Sequence, residues 1–190
     1  MKSKVLAAYP HFQVEEHACN LFIADYTSQI ENQREVEIHT TKPTDIDSFE
    51  IRNPTPIQTC SVKFDNNSFQ DTDGKPLTQC ECVSFPNVPV VNKPWLLFLE
   101  LKYCQQPKKQ RNLNKAKSQL FATMAYFKEK GIIADQQPCY LIASLPLLNK
   151  PPFESFILMP SELQKLKREE NIIIKGTNAI TIKNEFLIQV

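Results

Sequence analysis

Trp95-Leu96-Leu97-Phe98-Leu99-Glu100-Leu101-Lys102-Tyr103 is the stretch on which the reading of this chain turns. Apolar side chains fill both alternating sets of positions, so the segment is expected to be a strand buried on both faces. Side chains two apart on a strand share a face, so Glu100 and Lys102 project together from one side. Charges seldom occupy such surroundings unless they are paired or hold a metal. A carboxylate and an ammonium so placed can bind a divalent cation and polarise a phosphate. The plainer reading of the tripeptide alone is a buried ion pair, or a strand end emerging into water.

Working outward, Thr78–Phe85 reads as a strand in which apolar and small residues flank Glu81. Ile57–Phe64 alternates and is rich in strand formers, and the polar turns 65–68 and 71–76 separate the two. After the apolar strand comes the polar loop Gln105–Arg111, then a helix capped by Asn112 or Asn114 and running to Lys130. Leu113, Ala116, Leu120, Met124 and Phe127 form its apolar stripe, and Gly131 is a natural residue to follow its end. Pro138–Leu145 is a second strand apolar throughout. Helical spacing of Phe12, Glu16, Cys19 and Ile23 predicts a helix over 11–31, and a short strand is expected at Glu35–His39. Beyond Pro146 the pattern gives a strand at Phe153–Met159 and a charged helix at Ser161–Glu169 capped by Ser161. A terminal hairpin of Ile172–Ile174 with Ala179–Ile188 is expected around Gly176-Thr177-Asn178. The order implies a single α/β domain over residues 1–190. Its mixed central sheet is flanked by helices, with a core over 11–145 and an α+β extension over 146–190.

Composition narrows the function. The length of 190 residues suits one domain, and 42% apolar residues suffice for a substantial core. Formal net charge is +1, so nucleic-acid binding would have to come from a local patch. With only 3 glycines, phosphate cradles built from several glycines in one loop are excluded. The apolar part of the N-terminus is too short for a secretory signal, and no run approaches membrane-spanning length. A soluble cytoplasmic protein with reduced thiols is expected.

If the strand bearing Glu81 pairs with the one bearing Glu100, two carboxylates and Lys102 converge at one sheet edge. Glu81 and Glu100 are then candidate oxygen ligands for Mg²⁺ or Mn²⁺. Lys102 would orient the attacking water or stabilise the developing charge on phosphorus. On the following helix Lys115, Gln119, Ala122 and Tyr126 share a face distinct from the apolar stripe, and Gln119 could reach the metal-bound water or Lys102. Lys108, Lys109, Arg111, Lys115 and Lys117 form a basic strip that suits a phosphate backbone, or equally an ordinary solvated helix face.

Glu81, an interval of 19 residues, Glu100-x-Lys102, and then a helix bearing Gln119 and a further buried strand resemble the PD-(D/E)XK nuclease superfamily. That family includes restriction endonucleases, exonucleases and junction resolvases. The resemblance implies a restriction-endonuclease-like αβββαβ core over roughly 11–145 and a Mg²⁺-dependent hydrolase of phosphodiester bonds, with DNA as substrate. It places the first acid on Glu81, the second on Glu100 and the lysine on Lys102, with an early helical glutamate at Glu15 or Glu16. One departure is that the first acid is Glu after Cys80, where the family usually has Asp. Restriction, phage defence or repair are the settings the family suggests, and a homodimer or a partner protein fits its habits. The alternative is a catalytically inactive module on the same fold that binds nucleic acid or a protein.

Other chemistries have weaker signatures. Cys80-x-Cys82 has the wrong spacing for a zinc knuckle, and both thiols are expected on one strand face opposite Glu81, as small buried side chains. His17 beside Cys19 is no evidence of a nucleophile pair. Asp71-Thr72-Asp73-Gly74 reads as a turn. Trp95 is expected in the core, and Phe153, Phe156 and Phe186 are expected to close a second layer.

Overall fold

The structure, a computed structural model, describes residues 1–27, 35–148 and 158–190. In chain order it contains helix Lys2–Ala8 (α1) and strands Glu15–His17 (β1), Leu21–Asp25 (β2), Val36–His39 (β3), Phe49–Arg52 (β4), Thr59–Lys63 (β5), Cys82–Pro86 (β6) and Leu96–Leu101 (β7). There follow helix Lys109–Glu129 (α2), strand Cys139–Ser144 (β8), helix Pro160–Lys165 (α3), and strands Ile172–Gly176 (β9), Ala179–Asn184 (β10) and Leu187–Gln189 (β11). Six strands make one mixed sheet in the order β1-β5-β6-β7-β8-β9, antiparallel as far as β7 and parallel from β7 to β9. Five make a second mixed sheet, β11-β10-β4-β2-β3, in which only β10 and β4 run parallel.

The run around β7 is apolar on both faces because each face meets a different layer. Leu96 and Phe98 pack with Leu113, Ala116, Leu120 and Phe127 of α2 and with Val5 of α1. Leu97, Leu99 and Leu101 pack with Leu21, Ile23, Phe49, Ile51, Ile180 and Ile182 of the second sheet. Every residue of β7 and of β8 is buried. Burial of five large apolar side chains on β7, at about 1.5–3 kcal/mol each, anchors the strand firmly enough to carry a buried carboxylate at Glu100.

The α/β class, the three-strand meander β5–β7, the long helix and the parallel strand after it agree with the sequence pattern. Several expectations do not. The described part of the segment 11–31 is not a helix: it forms β1 and β2, and Glu15 and Glu16 sit on β1. Pairing of β1 with β5 and of β2 with β3 and β4 overrides the local periodicity. The helix at this end of the chain is α1, further upstream. Among the described residues helices do not cover both faces of the central sheet, since the core of α1 and α2 lies on one face and the second sheet covers the other.

The expected terminal hairpin is split. β9 joins the first sheet beside β8, β10 joins the second beside β4, and the actual hairpin is β10 with β11. The segment 146–190 therefore contributes strands to both sheets. Ser161 is not a cap: Pro160 opens α3, and Glu162 accepts the amide of Met159 at 2.7 Å. Phe186 is exposed rather than packed in a second layer, while Trp95 is wholly buried and donates Nε1–H to the Asn184 carbonyl at 3.0 Å. Phe153 and Phe156, and most of the strand expected at Phe153–Met159, lie outside the described residues.

Candidate active site

Glu100 is near the carboxyl end of β7, on the face turned to α2, in step with Leu96 and Phe98. It is completely buried. Lys102, two residues on, donates from Nζ to Glu100 Oε1, and its own side chain keeps 15% of its surface exposed. The pair thus opens towards solvent through the lysine. Tyr103 ties the strand end to the second sheet: its hydroxyl accepts the Asp25 amide at 3.3 Å and donates to the Asp47 carbonyl at 2.6 Å. Burial raises the pKa of the Tyr103 hydroxyl, so it serves here as a neutral hydrogen-bonding group. Cys104 is buried beside the same end; desolvation raises its thiol while Lys102 and Lys108 pull it the other way.

Glu81 directly precedes β6. Its amide donates to the Leu99 carbonyl at 2.9 Å, and its carbonyl accepts the Phe64 amide at 2.9 Å. Leu99 is also the register partner of Cys82, so two residues on this side oppose one residue of β7, which is a β-bulge. The extra residue resets the alternation. Cys80 belongs to the helix-side core and Cys82 to the core between the sheets, contrary to the expectation that they share a face. Glu81 therefore stands opposite Leu99, the residue before Glu100 on β7, and both glutamates are buried, at 3% and 0% exposure.

Gln119 projects from the middle of α2 and donates Nε2–H to the Gln79 carbonyl at 2.9 Å. Its contact is therefore with the approach to Glu81. Thr123, one turn on, accepts the Cys80 amide at 2.8 Å. Sequence reasoning missed Thr123 and Gln79. The available signal was that Thr123, three residues after Leu120, is a polar residue in phase with the buried stripe of α2. The basic residues stand where the chain leaves the strand. Lys108 closes a short 3₁₀ turn, Gln106–Lys108, while Lys109, Arg111, Lys115 and Lys117 lie on the first half of α2. Lys108, Arg111 and Lys115 are exposed, and Lys109 and Lys117 are half-buried. The first turn of α2 carries no acidic residue, although acids there would complement the helix dipole.

All six cysteines are free thiols, of which only Cys19 is exposed. Among the described residues no group of three or more His, Cys, Asp and Glu side chains is arranged to hold a metal, and no helix is long and apolar enough to cross a membrane. Compared with protein-family models, with curated proteins and with solved structures, this chain matches none.

Proposed function

We propose that this protein is a metal-dependent nuclease that hydrolyses phosphodiester bonds of DNA through Glu81, Glu100 and Lys102. The observation that carries the reading is a fully buried glutamate on the helix-side face of a central strand, ion-paired to the lysine two residues on, with a second buried glutamate immediately before the neighbouring strand, its amide bonded to the Leu99 carbonyl of the first. The order α1, β5, β6, β7, α2, β8 around it supports the αβββαβ arrangement of the PD-(D/E)XK enzymes, with β1, α3, β9 and the second sheet as additions.

The donors fit a hard cation. Both are carboxylates, and with Lys102 protonated the three ionised groups sum to −1, which a divalent ion would offset. Glu81 and Glu100 would hold Mg²⁺ or Mn²⁺, with water completing the shell. When bound, the ion would neutralise phosphate charge and acidify a coordinated water. Lys102, tethered to Glu100 and open to solvent on one side, would face a phosphate oxygen and stabilise the charge that develops there. Lys108, Lys109, Arg111, Lys115 and Lys117 would hold the backbone of the nucleic acid. A helix start that carries cations where acids would be more stabilising supports that role.

A non-catalytic module is the competing reading, favoured by one observation: the Glu100–Lys102 contact already pairs the buried charge without a metal. One experiment separates the two. Mn²⁺ is titrated calorimetrically into the parent, Glu100→Gln and Lys102→Ala, and each is incubated with plasmid, linear duplex and single-stranded DNA in Mg²⁺. The nuclease reading expects Mn²⁺ binding that is lost in Glu100→Gln. It also expects cleavage that falls by at least about a hundredfold in Lys102→Ala while the variant stays folded. A parent that binds no Mn²⁺, or cleavage undiminished in Lys102→Ala, would overturn it.

A further inference from the structure

The segment that delivers Glu81 is held from two directions. From the sheet side, Leu99 and Phe64 bond the backbone of Glu81 itself. The two residues before it lie outside the β-ladder, and their backbone is bonded by side chains of α2. Thr123, wholly buried, accepts the Cys80 amide at 2.8 Å and donates its own proton to the Gln119 carbonyl at 3.1 Å. Gln119, one turn earlier, donates to the Gln79 carbonyl at 2.9 Å. A valine at 123 would fill similar space but leave the Cys80 amide without this acceptor.

We propose that Thr123 and Gln119 are positioning residues for Glu81, fixing the backbone from which its carboxylate extends; this rests on the reading of Glu81 as a metal ligand. The physical need is clear. A glutamate has a longer, freer arm than the aspartate usual in the related enzymes, and it stands at a bulge, where strand alternation no longer fixes its direction. Metal–oxygen distances tolerate only about 0.2 Å of error. Fixing the backbone on both sides of a flexible side chain restricts where its carboxylate can go. A second observation concerns two further polar atoms along this segment. The Oε1 atoms of Gln79 and Gln119 are buried with no hydrogen-bond partner among the described residues, and buried acceptors of that kind are commonly met by water or an ion.

The test compares Thr123→Val, Thr123→Ser and Gln119→Met with the parent. It reads Mn²⁺ affinity by calorimetry, the Mn²⁺ electron paramagnetic resonance spectrum, thermal melting, and kcat and KM for plasmid cleavage. Groups that orient a metal ligand typically alter affinity by about 10–100-fold. Thr123→Val and Gln119→Met are expected to weaken Mn²⁺ binding by about tenfold or more, to change the spectrum and to lower kcat with KM for DNA unchanged. Thr123→Ser, which keeps the hydroxyl, is expected to bind Mn²⁺ as the parent does. Should Thr123→Val not fold, Gln119→Met and Thr123→Ser carry the comparison. A parent that binds Mn²⁺ alongside folded variants of unchanged affinity and spectrum overturns the positioning role alone. A parent that binds no Mn²⁺ overturns the nuclease reading and this role with it.

Discussion

Glu100 is a charge placed where an apolar side chain would serve the fold better. A buried ion pair contributes little net stability, because desolvation of both charges offsets their attraction, yet removal of one partner leaves the other exposed to the full penalty. Lys102→Met is therefore expected to lower stability by about 3–5 kcal/mol in urea unfolding. The double variant Glu100→Met/Lys102→Met is expected to recover that loss and to equal or exceed the parent. A single variant as stable as the parent would show that Glu100 does not depend on Lys102. Stability that a double substitution can supply is a reason to look for chemistry in the pair. At this scale the sequence was informative where a residue broke its surroundings: two charges in an apolar run announced themselves. Glu81 was legible as a buried acid next to the same strand, but its bulge was not, because nothing in Cys80-Glu81-Cys82 states that Leu99 will face two residues instead of one. Thr123 carried its signal in the same manner as Glu100, as a polar side chain in a buried stripe, though a single hydroxyl is weaker evidence than a charge.

Among the elements, α2 was read most fully, since its apolar stripe and its final glycine agree. The stop is made by the backbone: Gly131 has φ +64°, its amide donates to the Lys128 carbonyl at 2.9 Å, and the Ile132 amide donates to the Phe127 carbonyl at 2.9 Å. This is the paired closure of a helix end that a left-handed residue permits. Chain neighbours aside, no atom of the described residues lies within 4 Å of the position a Cβ would take at Gly131, so the strain of a side chain there is conformational. Gly131→Ala is expected to lower stability by about 1 kcal/mol, read as a shifted urea midpoint with unchanged slope. A variant as stable as the parent would mean that the helix end relaxes into another conformation. The start of α2 lies a few residues earlier than Asn112, because a 3₁₀ turn leads into it and no side chain caps it. The segment 11–31 went the other way. Its helical spacing was real, but two short strands with distant partners gain more from the sheets than a solitary helix gains from periodicity.

In the whole molecule, one sheet lies between a helix layer and a second sheet, and that second sheet was the least legible part. Its parallel pair joins Glu50, Ile51 and Arg52 to Ala179, Ile180 and Thr181, segments far apart along the chain. No local pattern encodes such a pairing; it exists because the inner faces of both sheets need each other's cover. The layering also seals titratable groups into dry surroundings. Burial raises the thiol of Cys60 to about 11, the thiol of Cys139 to about 12 and the hydroxyl of Tyr9 to about 12. In the unfolded chain these thiols release their protons near pH ~8.5 and the phenol near ~10. Between those values and the folded ones the native state binds more protons than the unfolded state, so stability falls as pH rises, by up to about 1.4 kcal/mol per pH unit for each group. Below about pH 8.5 the stabilisation is fully present. Urea midpoints are therefore expected to drop between about pH 8 and pH 10.5. Cys139→Ala should start lower, because it leaves a cavity, yet lose less over the same interval. A parent whose midpoint is flat across that range would mean that water reaches these side chains, and the sealed three-layer packing would not hold.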